Sequence, residues 1–161
     1  MMASLLAQLN DRFRLTILVI HCSEALASRL NQRVNFMKLI AVVLTLFVAV
    51  SHVGILILEM FFWNHPIGQR IFSMTPEVAA TSEVLAMNQG LYNGFLAAGL
   101  FWGLLKKQLD IIVFFLCCVV VAGIFGAATA KFTILFTQAL PAALALIAVF
   151  ISREKFSQPN I

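Results

Sequence analysis

Between Asn88 and Gly94 the chain reads Asn88-Gln89-Gly90-Leu91-Tyr92-Asn93-Gly94, three amides and a phenol at the head of an apolar run from Phe95 to Leu105. On a helix, at about 100° per residue, Asn88 and Tyr92 share one face and Gln89 and Asn93 the next. Gly90 and Gly94 open a flank to the backbone of a neighbour. Such groups are costly inside an apolar helix unless each finds a partner or a ligand. The expectation is therefore the wall of a polar site buried between helices. Glu59 and His52 are the other residues with chemistry to offer. A buried carboxylate can exchange a proton or hold a cation, and a histidine two turns away could share that proton. Mixed amides and a phenol suit recognition of a ligand by hydrogen bonds.

The elements that must carry these residues are set by composition. Of 161 residues, 61% are hydrophobic and 11% are charged, against about a quarter charged in a soluble domain. With a mean hydropathy of +0.97, an integral membrane protein is the expected class. The net charge of +4 does not point to nucleic acid, because the basic residues flank apolar runs instead of lining one face. Cys22, Cys117 and Cys118 have neither a disulfide framework nor metal-ligand spacing, and Cys117-Cys118 reads as a pair of small packing residues. With no zinc, Walker or dinucleotide fingerprint, neither a metal nor a cofactor is expected.

An all-α, four-helix transmembrane bundle follows, with spans near 39–62, 84–105, 109–130 and 132–151. Lys38, Thr45, His52 and Glu59 recur every seventh residue of the first span, which puts them on one narrow stripe facing the bundle interior. Thr75-Pro76-Glu77 has the chemistry of a helix start: a hydroxyl cap, a proline in the first turn and an acid at the positive dipole end. A helix from there to Leu105 would be about 45 Å long, so either its beginning projects from the membrane or it breaks near Asn88–Gly90. Gly90/Gly94 and Gly99/Gly103 are small-residue pairs on nearly opposite faces, which gives this helix neighbours on two sides. Gly123/Ala127 is another such pair, and the Gly90/Gly94 and Gly123/Ala127 faces could also serve a second copy of the chain. Pro141 is expected to kink the last span. Trp63 and Trp102 read as aromatic-belt residues.

Residues 1–36 are different in kind. Their apolar run, Leu15–Ile20, cannot cross a bilayer that needs about 20 residues. Met37-Lys38 followed by an apolar run is a typical membrane-protein opening, so 1–36 reads as an upstream extension, either disordered or an amphipathic helix at the membrane surface. Residues 37–155 form the membrane domain and 156–161 a tail. Lys38, Lys106, Lys107, Arg153 and Lys155 fall on one side and only Arg70 and Lys131 on the other. The positive-inside rule then places both termini in the cytoplasm. His52, Glu59, Asn88, Gln89, Tyr92, Asn93 and Gln138 all lie in the outer half on this reading, so the expected partners are the membrane lipids around the bundle and a small-molecule ligand at these residues.

Leu58-Glu59-Met60-Phe61-Phe62-Trp63, then Pro66, Arg70-Ile71-Phe72, Thr75-Pro76 and the long string from Asn88 to Leu100 resemble the bacterial membrane family known as domain of unknown function 1304. The resemblance runs from about Met37 to Arg153. It implies a four-span protein of the bacterial inner membrane and no particular activity. Three functions stay open: binding or moving a small polar or amphiphilic molecule; acid–base catalysis by Glu59 and His52, of isomerase or oxidoreductase type; and a structural subunit whose polar cluster only sets helix packing.

Overall fold

Prolines and capping side chains set the boundaries of the helices. A computed structural model describes residues 2–152, and its helices in order are α1 (Met2–Phe61), α2 (Pro66–Phe72), α3 (Pro76–Lys106), α4 (Leu109–Thr129), a π-helical segment (Leu135–Ala139) and α5 (Leu140–Ile151). The tail at 156–161, with Arg153 and Lys155, lies outside the described residues. Pro66 keeps His65 extended, at φ −81° and ψ 149°, and so stops the chain from running on as one helix. His65 Nδ1 then accepts from Ile67 N at 3.2 Å and caps α2. Ser73, at φ 58°, turns the chain out again.

Thr75 caps α3, its Oγ1 accepting from Val78 N at 3.4 Å, with Pro76 and Glu77 in the first turn. The helix that follows is unbroken through Asn88–Gly90, so of the two courses open from sequence it takes the continuous one. It ends where Lys107 adopts φ 54° and Gln108 N donates back to Gly103 O at 3.0 Å, a six-residue closure of the Schellman type. The Glu77 carboxyl is held below the usual range, chiefly by its own backbone N–H and then by the Thr75 hydroxyl. Its stabilising contribution is complete above the unfolded carboxylate pKa and is lost as pH falls through the lowered folded value. Glu77→Gln is therefore expected to lower stability slightly at neutral pH, to leave it unchanged below the carboxylate range, and so to flatten the acid limb of a stability-versus-pH curve measured by thermal unfolding.

The chain divides into two compact units, Met1–Phe36 and Met37–Ile161. In the first, the side chains described are exposed except for the half-buried Val34. Ser23 Oγ donates to Ile20 O and Ser28 Oγ to Ala25 O, and His21 Nδ1 lies 3.0 Å from Ile17 O, all within their own helix. In the second unit, one core takes Ala41, Val48 and Ala49 from α1, Leu100 from α3, Ile112, Leu116 and Val119 from α4, and Ala142, Ala145 and Val149 from α5. Small residues set the helix spacing. A Cβ on Gly123 would meet Ala139 N at 2.7 Å and Ala139 Cα at 3.0 Å, so α4 rests almost backbone to backbone on the π segment.

The last helix departs from a simple kink at Pro141. Proline lacks the N–H that would reach Thr137 O, and its ring presses on that carbonyl. The preceding turn widens instead, Leu140 N donating to Leu135 O, and α5 then begins with Pro141 in its first turn. Ala139 and Gln138 are thereby rotated relative to a regular helix. Among the described residues, Ile20–Phe61 of α1 and Leu109–Thr129 are long and apolar enough to cross a membrane, while Leu135–Ile151 is apolar but shorter.

Candidate functional site at Glu59 and Asn93

The stripe of α1 turns inward as its spacing demands: Thr45 and His52 are buried and Glu59 is half-buried. Thr45 Oγ1 donates to Ala41 O at 2.7 Å, and His52 Nδ1 lies 2.8 Å from Val48 O. A carbonyl only accepts, so Nδ1 carries a hydrogen and Nε2 is the basic nitrogen of the neutral ring. Both side chains are thus satisfied within their own helix. Glu59 reaches across to another helix.

That reach depends on glycine. A Cβ on Gly90 would fall 2.6 Å from Met60 Cγ, 3.1 Å from Glu59 Cβ and 3.2 Å from Leu56 O, and one on Gly94 would fall 2.5 Å from Leu56 Cδ1. With no side chain at either position, α1 lies directly on this flank of α3, close enough for a short amide to meet a carboxylate. Asn93, about 60° round the helix from Gly90, borders the contact. Its Nδ2 donates to Glu59 Oε2 at 2.8 Å and to Gln89 O at 3.1 Å.

Asn88, Gln89 and Tyr92 do not join them. All three are exposed, Tyr92 with its ring edge-on to Phe95 at 6.1 Å. The expected wall between helices is corrected to one of its four polar residues. The cause is geometric, because α1 covers the Gly90/Gly94 flank while Asn88 and Tyr92 point to the opposite side. On that side α4 closes in only from Gly99 onward, where Phe115 and Ile112 fill the places of Cβ atoms at Gly99 and Gly103. Helix α3 therefore does have neighbours on two faces. Gln138 is half-buried in the π segment, and among the described residues neither it nor His52 hydrogen-bonds to Glu59 or Asn93. Gly90 and Gly94 pack against α1 of this chain, and Gly123 packs against Ala139.

Three contacts escaped the sequence. Trp63 Nε1 donates to Ser82 Oγ at 3.0 Å and Asn64 Nδ2 to Glu83 Oε2 at 3.4 Å, tying the turn between α1 and α2 to the first turns of α3. Lys131 Nζ donates to Ser73 Oγ at 3.4 Å. The half-buried Trp63 also packs against Phe72, ring centroids 4.7 Å apart and tilted by 44°. Trp102 is exposed, with Lys106 Nζ 5.0 Å from its ring. The shared spacing of Trp63–Ser82 and Asn64–Glu83 becomes a signal only once α2 folds the intervening loop. Cys117 and Cys118 line an apolar groove of about 510 Å³ on α4 with Phe114, Val121, Ala122 and Phe125, apart from the Glu59–Asn93 pair.

The family model described as "Protein of unknown function (DUF1304)" matches residues 46–150. The chain belongs to this family. It is also 33% identical over 118 residues to the uncharacterized protein YpaA of Lactococcus lactis subsp. lactis (strain IL1403), an alignment covering 71% of this chain and 99% of that protein. No solved structure matches. The family match spans both Glu59 and Asn93, so the pair lies inside the shared domain and not in the segment that precedes it.

Proposed function

We propose that this chain is a multi-pass protein of a bacterial inner membrane, four spans with both termini cytoplasmic, that binds a small polar or amphiphilic molecule at Glu59 and Asn93. The observation that carries the reading is the cross-helix bond of Asn93 Nδ2 to Glu59 Oε2 at 2.8 Å, made by a half-buried carboxylate that no basic side chain among the described residues accompanies. A charge in that position calls for a counterpart. Membrane residence is supported by α4, whose inner face (Ile112, Leu116, Val119) is fully buried while its outer face exposes Val121 at 67% and Phe125 at 68%. A helix apolar on both sides suits an apolar solvent. Binding is favoured over transport because the cytoplasmic half of the spans offers few polar groups along which a solute could continue. Acid–base catalysis by Glu59 with His52 is weakened by the Val48 carbonyl, which takes the His52 Nδ1 hydrogen.

A structural pin is the second reading, favoured by the closeness of α1 and α3 over Gly90 and Gly94. The two readings differ in access. In a chain with Cys22, Cys117 and Cys118 replaced by serine or alanine, Asn93→Cys is expected to react with a small water-soluble thiol reagent from the outer side. Gln69→Cys should label from that side and Lys107→Cys from the inner side. Labelling of positions 69 and 107 from one side contradicts the topology. An inert Asn93→Cys variant, where Gln69→Cys reacts, supports the pin.

A further inference from the structure

Resting on the binding reading above, a count of donors and acceptors at the pair narrows the ligand. The Asn93 amide nitrogen has two hydrogens. One goes to Glu59 Oε2 at 2.8 Å and the other to Gln89 O at 3.1 Å. Because the Gln89 carbonyl can only accept, it fixes which end of the amide is nitrogen. Both donors are then in use, and Asn93 has only Oδ1 left to offer. When ionised, Glu59 is an acceptor throughout, and its Oε1 takes no hydrogen bond from the described residues. Among those residues no fully buried side-chain oxygen lacks a partner, so neither Oε1 nor Oδ1 is an unpaired atom sealed in the interior. What the pair presents is two acceptor oxygens, one of them on a carboxyl group, at a helix contact where Leu56 and Met60 pack on Gly90 and Gly94.

We infer that the ligand is an organic cation bearing N–H donors, a primary or secondary ammonium on an apolar body. Ammonium hydrogens answer both oxygens, and the positive charge compensates a carboxylate held out of bulk water. The apolar body suits Leu56 and Met60. A phosphate or carboxylate headgroup brings only more acceptors and a like charge. A bare calcium or magnesium ion demands about six or more oxygens, where the pair supplies two.

The test uses the full chain in a mild non-ionic detergent, with hexylammonium, hexyltrimethylammonium and hexanoate as probes. Hexylammonium is expected to raise the unfolding temperature of the wild type and hexanoate to leave it unchanged. Hexyltrimethylammonium, equally charged but without N–H, is expected to bind about tenfold more weakly or worse. Glu59→Gln should abolish the hexylammonium shift. A second readout needs no variant: hexylammonium, and not hexanoate, should slow modification of wild-type Glu59 by a hydrophobic carbodiimide. Stabilisation by hexanoate that Glu59→Gln removes would overturn the cation assignment and leave a binding site standing. Equal binding of the two cations would overturn the donor count. If no probe of either charge moves the unfolding temperature or the modification rate, the binding reading falls as well.

Discussion

Gly123→Leu is expected to destabilise the protein by about 3 kcal/mol or more, the upper part of the range for overpacking a close-packed contact. A Cβ at this position already meets Ala139 N at 2.7 Å, Ala139 Cβ at 2.9 Å and Ala139 Cα at 3.0 Å, and two of those three atoms are backbone. No rotamer change relieves the contact. The helices must separate, and Val119 and Leu116, buried on the same face of α4, lose their packing. The π turn before Pro141 makes the contact harder to relax, since its geometry is tied to the missing proline N–H. Gly126→Ala, one turn along, is the control. Its Cβ would meet Ile134 Cγ2 at 3.2 Å and Cδ1 at 3.4 Å, the movable end of a side chain, and removing a helical glycine returns about 0.5–1 kcal/mol. Gly126→Ala should therefore lie within about 1 kcal/mol of wild type in thermal unfolding in detergent. Similar losses at both positions would mean that α4 and the π segment are not held backbone to backbone.

The second large effect separates a site from a pin. Asn93→Leu leaves Glu59 Oε2 without its donor and is expected to cost about 1–3 kcal/mol. Glu59→Gln retains an acceptor oxygen for Asn93 and should cost about 1 kcal/mol or less. The decisive variant is Glu59→Leu with Asn93→Leu. If the pair is present for ligand binding, replacing both partners by apolar groups should restore stability to about the wild-type level or above. If the pair exists to set the register of α1 on α3, the double variant should stay as unstable as Asn93→Leu or become worse. Thermal unfolding of the wild type, Asn93→Leu, Glu59→Leu and the double variant completes the cycle.

How much of this was readable from the residues depended on the kind of spacing involved. The stripe through Thr45, His52 and Glu59 was legible because a seven-residue recurrence returns to nearly the same helix face whatever surrounds it. The start of α3 at Thr75-Pro76-Glu77 was legible because capping is local chemistry. The partners of Asn88–Asn93 were not. Helical periodicity says which residues share a face, but which face meets a neighbour is decided by where other helices pack, and here α1 lies against Gly90 and Gly94. That choice left Asn93 at the contact and turned Asn88 and Tyr92 away. The π segment was hidden for a related reason. A proline announces a missing hydrogen bond, yet whether the chain answers by bending or by widening a turn depends on what it rests against, in this case Gly123. The family was legible from the string Asn88 to Leu100, although most of its polar residues lie outside the cross-helix contact.

The claim at the centre of this account is that Glu59 and Asn93 hold a ligand. Mass spectrometry of small molecules that co-purify with the full chain in mild detergent tests it most directly, comparing wild type with Glu59→Gln and Asn93→Ala at matched thermal stability. The account predicts a compound enriched on the wild type and lost from both variants. A compound retained equally by all three proteins, or none enriched on the wild type, would contradict it.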